Sequence, residues 1–280
     1  MTLLPLIPRG ILRLTGPDRV KFLHGLTTGN VKALKPGESH RSLHTSPKGR
    51  VLALLGVYAE SDALWVETDA DRLAWLKASW EKVIIMEDVK IEDRSTELLV
   101  TALAGRSSPF PQTPDMPICL PFCRTGPGIE VWATPHETAI FRDGLCKTGT
   151  PLLDEAGEEA LRIANGMPRY GVDLTEENLP QEGGLDEDTG WISYSKGCYV
   201  GQEPIARLHH LGQAAQRLAL LKVPEGEILP PGTPVLSGES PAGRVTSSCP
   251  GMALAMLKRA FLATGAKLEA GGMADLTPIP

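Results

Sequence analysis

The sequence predicts an α+β protein that ends in a small β-barrel or sandwich. Three observations carry that expectation. Between residues 51 and 104 the pattern runs strand, strand, helix, strand, strand, which suits a layered α+β unit with helices on one face. From Arg217 onward, short apolar strands alternate with Gly/Pro turns. The chain has 280 residues, 42% of them hydrophobic and 22% charged, which suits two or three globular domains with a substantial core.

The elements follow from local chemistry. Ile11 to Leu14 reads as a short strand, and Thr15-Gly16-Pro17-Asp18 opens a helix with proline in its first turn. Val20, Leu23 and Leu26 give that helix an apolar stripe, and Thr27-Thr28-Gly29-Asn30 ends it. Ser46-Pro47-Lys48-Gly49 is a turn before a buried strand at Val51 to Tyr58, which pairs with Ala63 to Glu67 as a hairpin. Thr68 with Asp71 resembles a capping box with Asp in place of Glu, and Leu73, Leu76 and Trp80 form the core face of the helix it opens. Strands are expected at Val89 to Glu92, Leu98 to Ala104 and Ile129 to Ala133, with a proline-rich irregular connection over 105–128. Thr134-Pro135-His136-Glu137 combines a cap, a proline and a glutamate three residues on, a full helix-start signal. Asp154 starts another helix, which Gly166 stops. A polar stretch from Met167 to Gly190 follows, and loops of that length inside compact domains usually carry function. Barrel strands are expected at Leu218 to Val223, Pro234 to Ser237, Gly243 to Ser248 and Met252 to Leu257, with a domain boundary near Gly212 to Gln216.

Composition narrows the function classes. No long uninterrupted apolar run is present, so a membrane span is not expected, and the N-terminus has neither the basic lead nor the cleavage site of a signal peptide. The net charge of −6 comes with no basic run to suggest nucleic acid. Five cysteines at irregular spacing fit a reducing cytoplasm better than a disulfide framework. Cys119 and Cys123 form the one close pair and lack the further ligands of a zinc site. Walker, Rossmann, G-x-S-x-G and H-E-x-x-H signatures are absent.

One segment stands out chemically. Lys196-Gly197-Cys198-Tyr199-Val200-Gly201-Gln202-Glu203 sets a thiol between two glycines, with Arg207 further on. A cation beside a thiol favours the reactive thiolate, and Lys196 or Arg207 could supply it; the plain alternative is a small buried Cys in a turn. In the long loop, Glu182 lies between Pro180 and two glycines. A carboxylate accepts two adjacent N–H donors at once, the pattern of an aminopyrimidine edge, although from the residues alone a solvated loop carboxylate is the favoured reading. His209-His210 are candidates for a metal or a base, but adjacent histidines on a helix point in different directions.

The Lys196 to Glu203 segment resembles the signature of the YgfZ-like proteins, a folate-binding branch related to the glycine-cleavage T-protein (aminomethyltransferase). The resemblance covers most of the chain. Gly16-Pro17-Asp18 through Phe22-Leu23-His24-Gly25 is similar to the first helix of that superfamily, Ser46 to Val51 to the YgfZ branch, and Met167 to Leu185 to the folate-side loop. It implies two intertwined α/β-layer domains and a C-terminal β-barrel in a ring around a central folate cavity. The implied domains are 1–48 with 134–212, then 49–133, then 213–280. Glu182 falls on the glutamate that reads the pterin. Asp69, Tyr170, Gln202, Glu203 and Arg207 are the further expected cofactor-binding residues, for tetrahydrofolate or a one-carbon-substituted folate, with Cys198 and Lys196 as the reactive pair.

The departures are specific. The acidic pair of the aminomethyltransferase corresponds to Ala53 and Leu54, which cannot accept a proton. Asp69 stands where a relative has a folate-contacting asparagine. The expected function is therefore a cytoplasmic, tetrahydrofolate-binding accessory protein for assembly or maintenance of iron–sulfur proteins. Its expected partners are iron–sulfur apoproteins or cluster carriers, with neither nucleic acid nor membrane, and with effects on tRNA-modification enzymes that carry clusters. Cys198 is the expected key thiol: as a thiolate it could hold a transient iron or cluster, undergo redox exchange, or attack a one-carbon unit on folate. One Cys is too few for a four-thiolate cluster, so a cluster would bridge partners or copies of this protein. The alternatives are a folate-dependent one-carbon transferase with Asp69 or Asp173 as the substitute acid, and an interaction module that has lost folate.

Overall fold

The computed structural model describes residues 1–105, 118–186, 188–262 and 267–279. In chain order it opens with β1 (Thr2–Leu3), β2 (Arg9–Thr15), α1 (Arg19–Leu26), β3 (Ser39–Thr45), β4 (Val51–Ala59), β5 (Leu64–Asp69), α2 (Ala70–Glu81) and β6 (Lys90–Asp93). Next come β7 (Leu99–Ala104), β8 (Ile118–Leu120), β9 (Gly128–Ala133), α3 (Pro135–Lys147), α4 (Glu155–Ala164) and α5 (Gln202–Leu211). The chain finishes with β10 (Gln216–Lys222), β11 (Pro234–Ser237), β12 (Ser240–Cys249), β13 (Met252–Lys258), β14 (Leu268–Ala270) and β15 (Met273–Ile279).

Three sheets organise these elements. The first has order β3-β4-β5-β2-β6, the second β1-β7-β9-β8, and the third closes as a barrel, β10-β13-β12-β11-β14-β15. The α+β class with a terminal barrel is thus the fold of the chain. Strand β3 pairs with β4 through a short turn, so the expected division at residues 48 and 49 falls inside one hairpin of one sheet. Strand β3 was not anticipated: its seven residues, Ser-His-Arg-Ser-Leu-His-Thr, carry a single aliphatic side chain, and it is pairing with β4 that makes them a strand. The expected capping box at Thr68 does not form. Asp69 occupies the cap position without a capping bond from its side chain, and the Thr68 hydroxyl donates to Leu54 O at 3.0 Å. The capping box at Thr134 does form, and Asp154 caps α4 by accepting from Gly157 N at 2.8 Å.

Strand periodicity divides the first sheet into two faces. Leu12, Leu14, Ala53, Leu55, Val57, Leu64 and Val66 point to one side, where Leu23 of α1 and Leu73, Leu76 and Trp80 of α2 cover them. The residues between them face the second sheet. Ile11 and Tyr58 pack there on Val100, Leu120 and Trp132. In the second sheet, Ile129 and Val131 pack under α3 against Phe141 and Leu145. That leaves Glu130, with Trp132, on the side facing the first sheet. Helix α4 joins the barrel by packing Ile163 on Cys249 and Leu254.

Candidate functional site

Where the two inner sheet faces part, a cavity of about 730 Å³ opens, within the range of small-molecule sites. Arg9, Leu54, Gly56, Glu67 and Asp69 line it from the first sheet, every one of them on the face turned away from α1 and α2. Phe122, Arg124 and Glu130 line it from the second sheet and the turn between β8 and β9. Glu158 and Arg162 of α4, with Pro168, Tyr170 and Trp191, complete it. Its apolar lining includes the aromatic rings of Phe122, Tyr170 and Trp191. The Arg41 guanidinium lies 5.1 Å from the Phe122 ring and 5.4 Å from the Trp191 ring. Arg72 stacks between Trp75 at 4.3 Å and Tyr170 at 4.6 Å, within cation–π range.

The charged wall is built from buried pairs. Arg9 bridges Glu67 and Asp69. Arg124 donates to Glu158 Oε1 at 2.6 Å and to Pro5 O at 3.0 Å. Among the described residues, Glu130 accepts one hydrogen bond, from Arg124 N at 2.9 Å. Burial, then the neighbouring Glu67 charge, push Glu130 up to about 7 against the pull of Arg124 and Arg9.

Asp173, a candidate substitute acid, has a different task. Its side chain is fully buried and accepts four hydrogen bonds: from Arg162 Nη1 at 2.7 Å, Arg169 N at 2.9 Å, Thr246 Oγ1 at 2.5 Å and Ser247 Oγ at 2.7 Å. A carboxylate saturated in this way has no oxygen left to move a proton, and it ties α4 and the long loop to strand β12 of the barrel. At the position of the missing acidic pair, Ala53 is buried in the helix-covered core while Leu54 contributes an isobutyl group to the cavity.

Of the residues expected at a cofactor site, Asp69 and Tyr170 line the cavity. Glu182 does not. It is buried in a 3-10 turn over Pro180–Gly183, where Oε2 accepts from Asn178 Nδ2 at 2.9 Å and Leu179 N at 3.2 Å. Gln202, Glu203 and Arg207 lie on α5, away from the cavity lining. His209 stacks on Tyr194 at 3.7 Å, and no group of three or more His, Cys, Asp or Glu able to hold a metal occurs among the described residues.

The Cys198 segment exposes Gly197 and Cys198 and buries Lys196, Tyr199 and Gly201. The Cys198 side chain is exposed and outside the cavity lining. Lys196 is buried, and its ammonium donates to His24 O at 2.7 Å, Thr27 O at 2.5 Å and Gly29 O at 2.8 Å. Burial and the Lys32 charge push it down to about 7, yet three carbonyls call for three N–H groups, which an ammonium has and an amine lacks. Its donors are therefore committed to the end of α1 and the loop after it. On the other side, Thr45 Oγ1 donates to Val200 O at 2.7 Å. Gly201 has φ 82, and a Cβ there would stand 2.3 Å from Ser46 O. The two stretches singled out by resemblance, Ser46 to Gly49 and Lys196 to Glu203, meet backbone to backbone, which only a glycine permits.

The comparisons agree with this architecture. Residues 216–280 match the family described as CAF17, C-terminal beta-barrel domain. The iron-sulfur cluster assembly factor IBA57 homolog, mitochondrial, of Mycosarcoma maydis is 28% identical over 76% of this chain and 55% of its own length. The tRNA-modifying protein YgfZ of Hamiltonella defensa is 26% identical over 72% of this chain and 64% of its own. The chain thus spans under two thirds of the length of either relative. In structure it is similar to the glycine cleavage system aminomethyltransferase T from Bartonella henselae, with a TM-score of 0.80, 16% identity, and coverage of 99% of this chain and 84% of that one. The chain thus has the fold of that aminomethyltransferase and is similar in sequence to YgfZ and IBA57 homologues over about three quarters of its length.

Residue-by-residue reading missed Arg9, Arg41, Glu67, Glu130 and Glu158 at the cavity. One signal was available. Glu67 follows Leu64-Trp65-Val66, and Glu130 sits inside Ile129-Glu130-Val131-Trp132. A charge embedded in a strand that is otherwise apolar is buried with a partner or a purpose. Among the described residues, no helix is long and apolar enough to cross a membrane.

Proposed function

We propose that this chain binds tetrahydrofolate, or a one-carbon-substituted folate, in the cavity between its two sheets. In this reading it is an accessory protein for the assembly or maintenance of iron–sulfur proteins, including cluster-bearing tRNA-modification enzymes. The observation that carries the reading is the cavity itself: about 730 Å³, walled by Phe122, Tyr170, Trp191 and Leu54 and edged by buried carboxylates and guanidinium groups. Those walls suit a flat, partly apolar heterocycle with a polar edge. The similarity to an iron–sulfur cluster assembly factor and to a tRNA-modifying protein supports the cellular role.

Cys198 has a separate part. Exposed, and mounted on a segment fixed at both sides, it would meet a macromolecular partner rather than the one-carbon unit of a ligand inside the cavity. A transient cluster bridged to a partner's thiolates would use it as one ligand among several. Leu54 in place of an acid weighs against aminomethyl transfer of the T-protein kind.

Calorimetric titration with tetrahydrofolate tests the reading on wild type, Asp69→Ala and Glu182→Ala. Saturable binding weakened by Asp69→Ala supports a ligand in the cavity. Weakening by Glu182→Ala extends the ligand's reach to the residue assigned by resemblance. Failure of the wild type to bind removes folate from the account. Iron analysis of reconstituted protein with and without Cys198→Ala tests the thiol, and equal iron in both would exclude it as a ligand.

A further inference from the structure

Among the described residues, one buried carboxyl group of the cavity wall forms no ion pair. Glu130 is 2% exposed. The charged and titratable groups that face it are Glu67 on β5, Arg9 on β2, Arg41 on β3, and Arg124 and Cys123 in the turn between β8 and β9. Each cation there is already engaged. Arg9 is shared by Glu67 and Asp69, Arg124 pairs with Glu158, and Arg41 donates to Cys123 O at 3.1 Å and Gly126 O at 3.2 Å. Glu130 holds a single backbone hydrogen bond through Oε1, and Oε2 has no hydrogen-bond partner among the described residues. Among the described residues, the same wall has a buried donor and a buried acceptor without partners, Arg124 Nη1 and Glu158 Oε2. An anion this deep, beside a second carboxylate, takes up a proton or a cationic partner.

We propose that Glu130 is a proton-holding carboxyl group of the cavity, set to bind a ligand through a basic nitrogen. The proposal rests on the folate reading for its probe and deepens it: the cavity selects a heterocycle that offers a nitrogen lone pair. In the complex a single proton is shared. Glu130 Oε2–H donates to the ligand nitrogen, or the proton crosses to give an ammonium–carboxylate pair held by the same hydrogen bond. Where Glu130 is ionised before binding, that proton comes from solvent.

Tetrahydrofolate titration in buffers of different ionisation enthalpy tests this between about pH 6 and pH 9, on wild type and Glu130→Gln. For wild type, binding takes up roughly half a proton near pH 7, and affinity falls about tenfold per pH unit above that. For Glu130→Gln, proton uptake disappears and affinity becomes flat with pH. Binding to wild type without proton uptake overturns the proposal, as does equal uptake by both proteins. Infrared spectroscopy of the ligand-free wild type is the second measurement, and it stands even if the variant does not fold. A protonated-carboxyl band that persists to about pH 6 and bleaches by about pH 8 supports the proposal, and its absence overturns it. If tetrahydrofolate binds at no pH, the folate reading fails, and the infrared band then decides Glu130 by itself.

Discussion

Replacing Asp173 by Asn tests whether this residue is a structural anchor or an acid. The carboxylate takes four hydrogen bonds at full burial, two from Arg162 and Arg169 N and two from the Thr246 and Ser247 hydroxyls. Asn keeps the shape but has one oxygen. The cheaper orientation keeps that oxygen on Arg162 and Arg169 N and turns the amide nitrogen toward the hydroxyls, which can rotate to accept. The loss that remains is the charge opposite Arg162, whose side chain is 4% exposed. Removing one partner of a buried ion pair costs about 3–5 kcal/mol. Glu159, 2.6 Å from Arg162 Nη2, still offers a carboxylate, so Asp173→Asn should lie near the lower figure and Asp173→Ala near the upper. The assay is the urea midpoint, read together with amide exchange over residues 168–175 and strand β12, where loosening should concentrate. A change below about 1 kcal/mol, or loss of function with the midpoint unmoved, would refute the anchor argument.

Two further outcomes follow from the same geometry. Lys196→Met should cost about 3 kcal/mol or more, because it strips three buried carbonyls of their donor, and it should speed amide exchange at residues 24–29 and thiol labelling of Cys198; unchanged labelling would separate the mount from the thiol. Glu130 gives a pH signature in stability as well as in binding. Its folded value is raised from 4.5 to about 7, so its contribution is fully present below the unfolded value and is lost as pH rises through the folded one. Glu130→Gln should therefore gain on wild type by at most about 3 kcal/mol above pH 7 and by nothing near pH 4; parallel pH–stability curves for the two proteins would sink the assignment.

Period-two and period-3.6 patterning made β2, β4, β5, α1 and α2 legible, because their side chains alternate between a covered core and a second surface. The Thr134 box and the Asp154 cap were legible for a local reason: both are bonds made within three or four residues. Strand β3 escaped because its strand character depends on its partner β4, a long-range fact that its own polar composition hides. The meeting of Ser46 to Gly49 with Gly201 was marked in the sequence only by glycine, which says that something approaches closely and not what it is.

The cavity is the sharpest division. By itself the sequence determined the fold class, the terminal barrel and the peculiarity of the Cys198 segment, since these rest on local pattern and composition. Only the tertiary structure decided that Glu130 faces Glu67 across two sheets, that Asp173 is saturated, that Lys196 is committed to the end of α1, and that Cys198 lies outside the cavity. Each of these depends on which oxygen, nitrogen or ring another part of the chain brings within about 3–5 Å, and that distance is set by packing between elements far apart in sequence.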